Sequence, residues 1–195
     1  MTEEIIIAGF GGQGVLSMGK ILSYSGVMQG QEVTWMPSYG PEMRGGTANV
    51  TVIISDDKIS SPILNTFDSA ILLNQQSIDK FEPKIKPEGT LIYDSNGISR
   101  PPERKDINVF KVDATEEATK MNTSKIFNMI MLGAYLKIKP IINLENVAKG
   151  LKKSLPQRYH HLIPLNQTAL KRGMELVKGI PGNINNKINK LKDVI

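Results

Sequence analysis

Apolar residues fall along this chain in runs of two kinds. Ile5-Ile6-Ile7-Ala8 is apolar without alternation, the mark of a strand buried on both faces. Val15, Met18, Ile21, Leu22 and Val27 then recur at helical spacing, with Gly26 and Gly30 placed to mark the end of that helix. Glu32–Met36 reads as a short second strand. Thr47–Ser55 alternates, with Val50, Val52 and Ile54 on one face and Asn49, Thr51 and Ile53 on the other. Ile59–Leu64 is a short extended piece. Further strands are predicted over Phe67–Asn74, Thr90–Tyr93 and Asn108–Val112, with a short helix over Gln75–Phe81. Asp113-Ala114-Thr115-Glu116 looks like a helix start, and from there the pattern is helical. Ile126–Ile138 is apolar nearly all round, as befits a core helix or one face of a subunit contact, and its Gly133 would let another backbone come close. Asn143–Leu155 and Pro164–Lys178 give two more helices, the last beginning at Pro164 and ending at Gly179.

Strands alternating with helices define an α/β layered domain. The expected fold is a three-layer, Rossmann-like domain with a mostly parallel sheet and C-terminal helices. The hop from Met36 to Thr47 is about ten residues without helical pattern, whereas a parallel crossover needs a dozen or more. The third strand is therefore expected antiparallel to a neighbour, or at an edge. One domain is expected over residues 1–180, followed by a basic tail at 181–195 read as a tail or short terminal helix.

Between the first strand and the first helix stands Gly9-Phe10-Gly11-Gly12-Gln13-Gly14. Strand, glycine turn and helix together are the context that gives a G-x-G-x-x-G match physical meaning. Gly9 and Gly11 would permit a tight turn, and Gly14 a close approach of helix to strand. The helix N-terminus leaves amide donors that can hold an anion. A dinucleotide site would add an acidic residue at the end of strand two. That strand ends in Thr34-Trp35-Met36-Pro37, and Glu32 sits at its beginning instead.

The loop Pro37-Ser38-Tyr39-Gly40-Pro41-Glu42-Met43-Arg44-Gly45-Gly46 leaves from the same sheet edge as the glycine turn, so the two are expected to be neighbours in space. Arg44 could grip a carboxylate or phosphate with two parallel hydrogen bonds, and Glu42 could orient it. Tyr39 offers a ring and a hydroxyl, and Gly40, Gly45 and Gly46 bring the backbone close to a ligand or partner. An internal Glu42–Arg44 pair stiffening the loop fits these residues equally well.

Composition narrows the chemistry. The 195 residues contain no cysteine and two histidines, adjacent at His160 and His161, so neither a thiolate-bound cluster nor a histidine-rich metal site is expected. No catalytic set emerges from spacing. Tyr159-His160-His161 reads as a surface or helix-entry pair, and Asp94-Ser95-Asn96-Gly97 as a turn. Met121, Met129 and Met131 suit core packing or a protein interface. The net charge is +5, concentrated beyond residue 148, where a solvated helix face or an acidic partner is expected rather than nucleic acid. The start, Met1-Thr2-Glu3-Glu4, does not read as a signal peptide, and no apolar stretch would span a bilayer, so the expected location is the cytoplasm.

Ile5–Leu22 together with Ser38–Ser55 resembles the gamma subunit of the 2-oxoacid:ferredoxin oxidoreductases, the 2-oxoglutarate type most closely. The likeness rests on G-x-G-G-Q-G and Y-G-P-E-x-R-G-G at the right separation and runs from about Ile5 to Gly179. It implies one subunit of an enzyme that oxidatively decarboxylates a 2-oxoacid, passes the acyl group to coenzyme A and reduces ferredoxin. Alpha, beta and delta-type partner subunits would carry thiamine diphosphate, magnesium and iron–sulfur clusters, this chain holding no cofactor and being inactive alone. By this resemblance Gly9, Gly11, Gly12, Gln13 and Gly14, with Tyr39, Gly40, Glu42, Arg44, Gly45 and Gly46, face the complex near coenzyme A. Two other readings stay open: a free-standing nucleotide-binding or sensing protein, and a paralogue serving indolepyruvate, pyruvate or branched-chain 2-oxoacids.

Overall fold

The computed structural model describes residues 1–39 and 46–177. Six strands form one sheet: β1 (Thr2–Phe10), β2 (Glu32–Tyr39), β3 (Thr47–Ser55), β4 (Phe67–Leu72), β5 (Ile85–Asp94) and β6 (Asn108–Val112), in the order β2-β3-β1-β4-β5-β6. The α-helices are α1 (Val15–Met28), α2 (Gln75–Phe81), α3 (Ala114–Lys120), α4 (Phe127–Ile138), α5 (Leu144–Ser154) and α6 (Ile163–Leu176). The strands β1, β4, β5 and β6 pair in parallel, and β3 runs antiparallel to both β1 and β2. The short hop into residue 47 thus has the expected result, with β3 inside the sheet and β2 at its edge.

Edge position explains why β2 outruns its predicted end. It continues through Pro37 to Tyr39, with Pro37 opposite Val50. Proline cannot donate to a ladder, and an edge strand leaves one side of its backbone without a ladder. At the other end of the sheet β5 begins earlier than alternation suggested. It passes through Pro87 and through Glu88 at φ +62°, opposite a register shift between Phe67 and Ser69. The predicted stop at Gly26 is also displaced: Gly26 lies inside α1, and the helix closes where Gly30 and Gln31 donate to Val27 and Gly26. Residues 59–64 are irregular.

The layers are unequal. On one face Ile5, Ile7, Val50, Val52 and Ile54 meet α1, with α3 and α4 covering the rest. On the other, Ile6, Ala8, Leu72 and Leu91 are covered by the single helix α2, whose Phe81 meets Phe67 edge-on at 6.2 Å. The helices α5 and α6 pack on α1 and α4 rather than on the sheet, adding an outer layer. This settles the open reading of Ile126–Ile138. Enclosed between sheet and α6, α4 is a core helix, with Met129, Met131 and Tyr135 fully buried.

The α4–α6 contact is backbone on backbone. A Cβ on Gly133 would run into the Leu170 carbonyl, and one on Gly173 into the Ile130 carbonyl. Rigid carbonyls cannot yield as a side-chain tip can, so added volume must separate the helices. Gly133→Ala is expected to cost about 2–3 kcal/mol and to lower Tm by roughly 5–10 °C. Gly12→Ala, where a Cβ meets nothing within 4 Å but φ is +100°, is expected to cost about 1 kcal/mol. Thermal melts of the two variants beside the parent chain check the ordering.

Candidate functional site: the glycine-turn cleft

The carboxyl ends of β1 and β4 border the crevice where the chain parts company with itself: β1 leads through α1 toward β2, and β4 through α2 toward β5. In open α/β sheets that switch point is where ligands gather. Here a side chain fills it. The Gln13 Oε1 accepts from the Phe10 N–H at 2.6 Å, and its Nε2 donates to the Leu73 carbonyl at 3.3 Å. The Leu73 N–H in turn donates to Ala8 at 2.9 Å. Gln13 therefore laces β1 to β4 across the crevice.

Each glycine has a distinct task, divided otherwise than the sequence suggested. Gly12 and Gly14 hold the left-handed conformations, at φ +100° and +78°, whereas Gly9 and Gly11 do not. Gly9 is needed for space, since a Cβ there would come within 2.6 Å of the Gln13 Oε1 and 3.0 Å of the Leu73 Cβ. Gly14 also faces crowding, not from the strand but from Asn128 in the first turn of α4. The starts of α1 and α4 are thus brought side by side. The first turn of α1 has no side-chain cap and no acidic residue, so its amides keep their partial positive charge.

The expected neighbourhood of the two motifs is present where it can be described. The Gly11 N–H donates to the Gly46 carbonyl at 2.9 Å, and Phe10 pairs with Thr47. Tyr39 ends β2 opposite Ala48. Gly40, Glu42, Arg44 and Gly45 lie outside the described residues. Beside this junction is an open cleft of about 530 Å³. Phe10, Gly11, Gly12 and Gly14 form one wall, Val15–Ser17 of α1 a second, and Trp35, Pro37, Thr47 and Ala48 a third. Trp35 is 40% exposed and lies along α1, its Nε1 3.2 Å from where a Cβ on Gly19 would stand. Sequence reasoning passed over Trp35, Gly19 and Asn128. The available signal was that the chain's single tryptophan stands just before the 37–46 loop.

A second departure bears on nucleotides. A dinucleotide-binding half sets strand two beside strand one, so that an acid at its end reaches the ribose. Here β3 stands between them, and β2 ends two strands away from the turn. No carboxylate lines the cleft among the described residues. Nor do the described residues contain a cluster of three or more His, Asp or Glu side chains suited to a metal. With no cysteine in the chain, the residues present do not fit a cysteine-ligated iron–sulfur cluster.

Two other candidates take structural roles. The Asp94 carboxylate, read as part of a turn, is buried at the end of β5. It accepts from the Thr115 N–H at 3.1 Å and from the Thr115 hydroxyl at 2.5 Å, capping α3 from outside. Burial raises its pKa, against the lowering effect of those bonds. Asp113, which precedes α3, bonds Ser95 instead. His160 sits in the turn of residues 157–162 before α6, its Nε2 3.1 Å from the Leu155 carbonyl. At the opposite sheet edge Ser69 donates to the buried Glu3 at 2.5 Å, and Lys139 lies 3.4 Å from the same carboxylate. No helix among the described residues is long and apolar enough to cross a membrane.

A mixed sheet with a glycine turn laced at its switch point and bonded to Gly46 defines a Rossmann-like α/β class. Residues 4–176 match the pyruvate ferredoxin/flavodoxin oxidoreductase family, and the chain belongs to it. It is 35% identical over 173 residues to the ketoisovalerate oxidoreductase subunit VorA of Methanothermobacter thermautotrophicus, covering 88% of this chain and 36% of that one. It is 32% identical over 182 residues to the 2-oxoglutarate synthase subunit KorC of Methanocaldococcus jannaschii, covering 91% of this chain and 95% of that one. The chain thus spans about a third of VorA and nearly all of KorC. Among solved structures, the gamma subunit of a keto/oxoacid ferredoxin oxidoreductase from Geobacter sulfurreducens superposes with a TM-score of 0.74 at 26% identity, covering 89% of this chain and 96% of that one.

Gln13→Ala is expected to cost about 1–3 kcal/mol by leaving the Phe10 N–H unpaired. Gln13→Glu should also destabilise, by setting a carboxylate against the Leu73 carbonyl. Urea titrations of both compare the two losses. For Asp94 the raised pKa means that its contribution to stability is full below the ordinary carboxylate value and is lost as pH rises through the raised one. Asp94→Asn can keep the bond from the Thr115 N–H at its Oδ1 and replace the other with one donated from its Nδ2 to the Thr115 hydroxyl. It should therefore gain on the parent chain toward pH 7 and lose ground toward pH 4, as paired denaturation curves at the two pH values would show.

Proposed function

We propose that this chain is the gamma-type component of a 2-oxoacid:ferredoxin oxidoreductase acting on 2-oxoglutarate or a related 2-oxoacid. One oxoacid anion, one coenzyme A and two oxidised ferredoxins would become acyl-coenzyme A, carbon dioxide, two reduced ferredoxins and one proton. Thiamine diphosphate and iron–sulfur clusters held by alpha, beta and delta-type partners would supply the carbon–carbon cleavage and electron transfer. The gamma chain contributes a shaped surface.

The observation that carries this reading is the Gly11–Gly46 hydrogen bond, which fastens the end of the 37–46 loop to the glycine turn at the cleft. Family membership and the near full-length likeness to KorC support the subunit assignment. The free-standing nucleotide-binding reading is set aside, on that membership and on the position of β3 between β1 and β2. The cleft offers helix N-terminal amides at one end and an aromatic face at Trp35. That pairing suits a phosphorylated molecule bearing a base, and coenzyme A is such a molecule. Arg44, on the loop anchored there, supplies the full positive charge that a phosphate requires.

Reconstitution of the complex with Arg44→Ala tests the assignment. A charge-assisted phosphate contact is worth about 1.5–3 kcal/mol, so the KM for coenzyme A should rise roughly 10- to 150-fold with assembly intact. An unchanged KM and turnover in an assembled complex would overturn the role of Arg44. Oxoacid oxidation by the isolated chain would overturn the subunit reading. A panel of 2-oxoacids checks the substrate separately, with 2-oxoglutarate expected to be preferred.

A further inference from the structure

The outer helical layer carries an apolar seam that belongs to none of the chemistry above. Leu144, Ala148 and Leu151 of α5 face Leu170 and Lys171 of α6 across a groove of about 130 Å³. Leu144, at the entrance, is 45% exposed. The groove is near the size of cavities that admit a benzene ring, at about 150 Å³, so it has room for one bulky apolar side chain. None of these residues lines the glycine-turn cleft.

The charge around the groove is one-sided. Along α5, Lys152 continues the row of Leu144 and Ala148 at four-residue steps, and on α6 Lys171 forms part of the lining. Lys149 is paired with Glu145, and Arg172 with Glu117 and Glu175. Lys152 and Lys171 have no carboxylate partner among the described residues. Residues 178–195 of the chain itself carry Lys178, Lys187, Lys190 and Lys192 against Asp193 alone, the same sign as the rim. Like charges disfavour that segment as the occupant and favour a segment of opposite sign.

We propose that the α5–α6 seam docks an acidic amphipathic helix of a partner polypeptide, with one bulky apolar side chain seated in the groove and carboxylates facing Lys152 and Lys171. This is helix-in-groove recognition, in which a central apolar anchor supplies affinity and rim charges supply selectivity.

The probes are two labelled 18-residue helical peptides sharing one leucine stripe, one with glutamates on the remaining face and one with lysines. Fluorescence anisotropy with the full chain should show saturable binding of the glutamate peptide, at least tenfold tighter than the lysine peptide and weakened by salt. The exposed pair Lys152→Glu and Lys171→Glu, which leaves the groove floor intact, should reverse the preference. Circular dichroism confirms its folding. Removal of residues 178–195 should leave the wild-type preference unchanged. Absent binding, equal binding of both peptides, or a preference that survives the charge reversal would each overturn the proposal. A gain of tenfold or more on truncation would also overturn it, by identifying the chain's own terminus as the occupant.

Discussion

One antiparallel strand governs what the carboxyl edge of this sheet can be. Because β3 enters between β1 and β2, its first residues stand at the same edge as the last residues of β1 and β2. The end of β2 and the start of β3 therefore meet at one edge, as an antiparallel pair requires and a parallel crossover would not. The glycine turn is held to it through Gly11 and Gly46. The same insertion pushes the end of β2 away from the place where a ribose would lie. A motif that elsewhere cradles a pyrophosphate is left with different neighbours: the start of β3, an indole and the start of another helix.

The crevice beside that turn is closed from within. Gln13 satisfies the Phe10 amide and the Leu73 carbonyl at once, a neutral side chain serving as both acceptor and donor. Few other side chains of that length can do both. Behind it, α1 and α4 rest on the sheet and carry α5 and α6 on their backs. The glycine contacts between α4 and α6 fix those helices at backbone distance. The cleft at the carboxyl edge and the groove between α5 and α6 share no lining residues.

Much of this was legible in the residues. Apolar patterning, with helix-start and turn residues, located the strands and α-helices of the described residues, and the length of the hop from Met36 to Thr47 foretold the antiparallel strand. The alternation of Thr47–Ser55 assigned its faces correctly, because one side meets α1. The errors have local causes. Pro37 reads as a breaker, but an edge strand tolerates it; Gly26 reads as a stop, but the helix passes it close to Val33. Gln13 could be seen only as a member of a motif, since its partners Phe10 and Leu73 are 3 and 60 residues away and no pattern links them. Asp94 looked like turn chemistry for the same reason: its partner Thr115 lies 21 residues on, across β6. Trp35 is conspicuous only once α1 is known to lie beneath it.

The lacing at the β1–β4 crevice has a consequence for the conditions under which this edge keeps its shape. Gln13 bonds two backbone groups, and the Gly11–Gly46 link is backbone to backbone. None of these groups gains or loses a proton between acid and alkaline solution. These links at the cleft are indifferent to pH. A drift in the acidity around the protein would leave these links unchanged in form, and any response to it must originate in other groups.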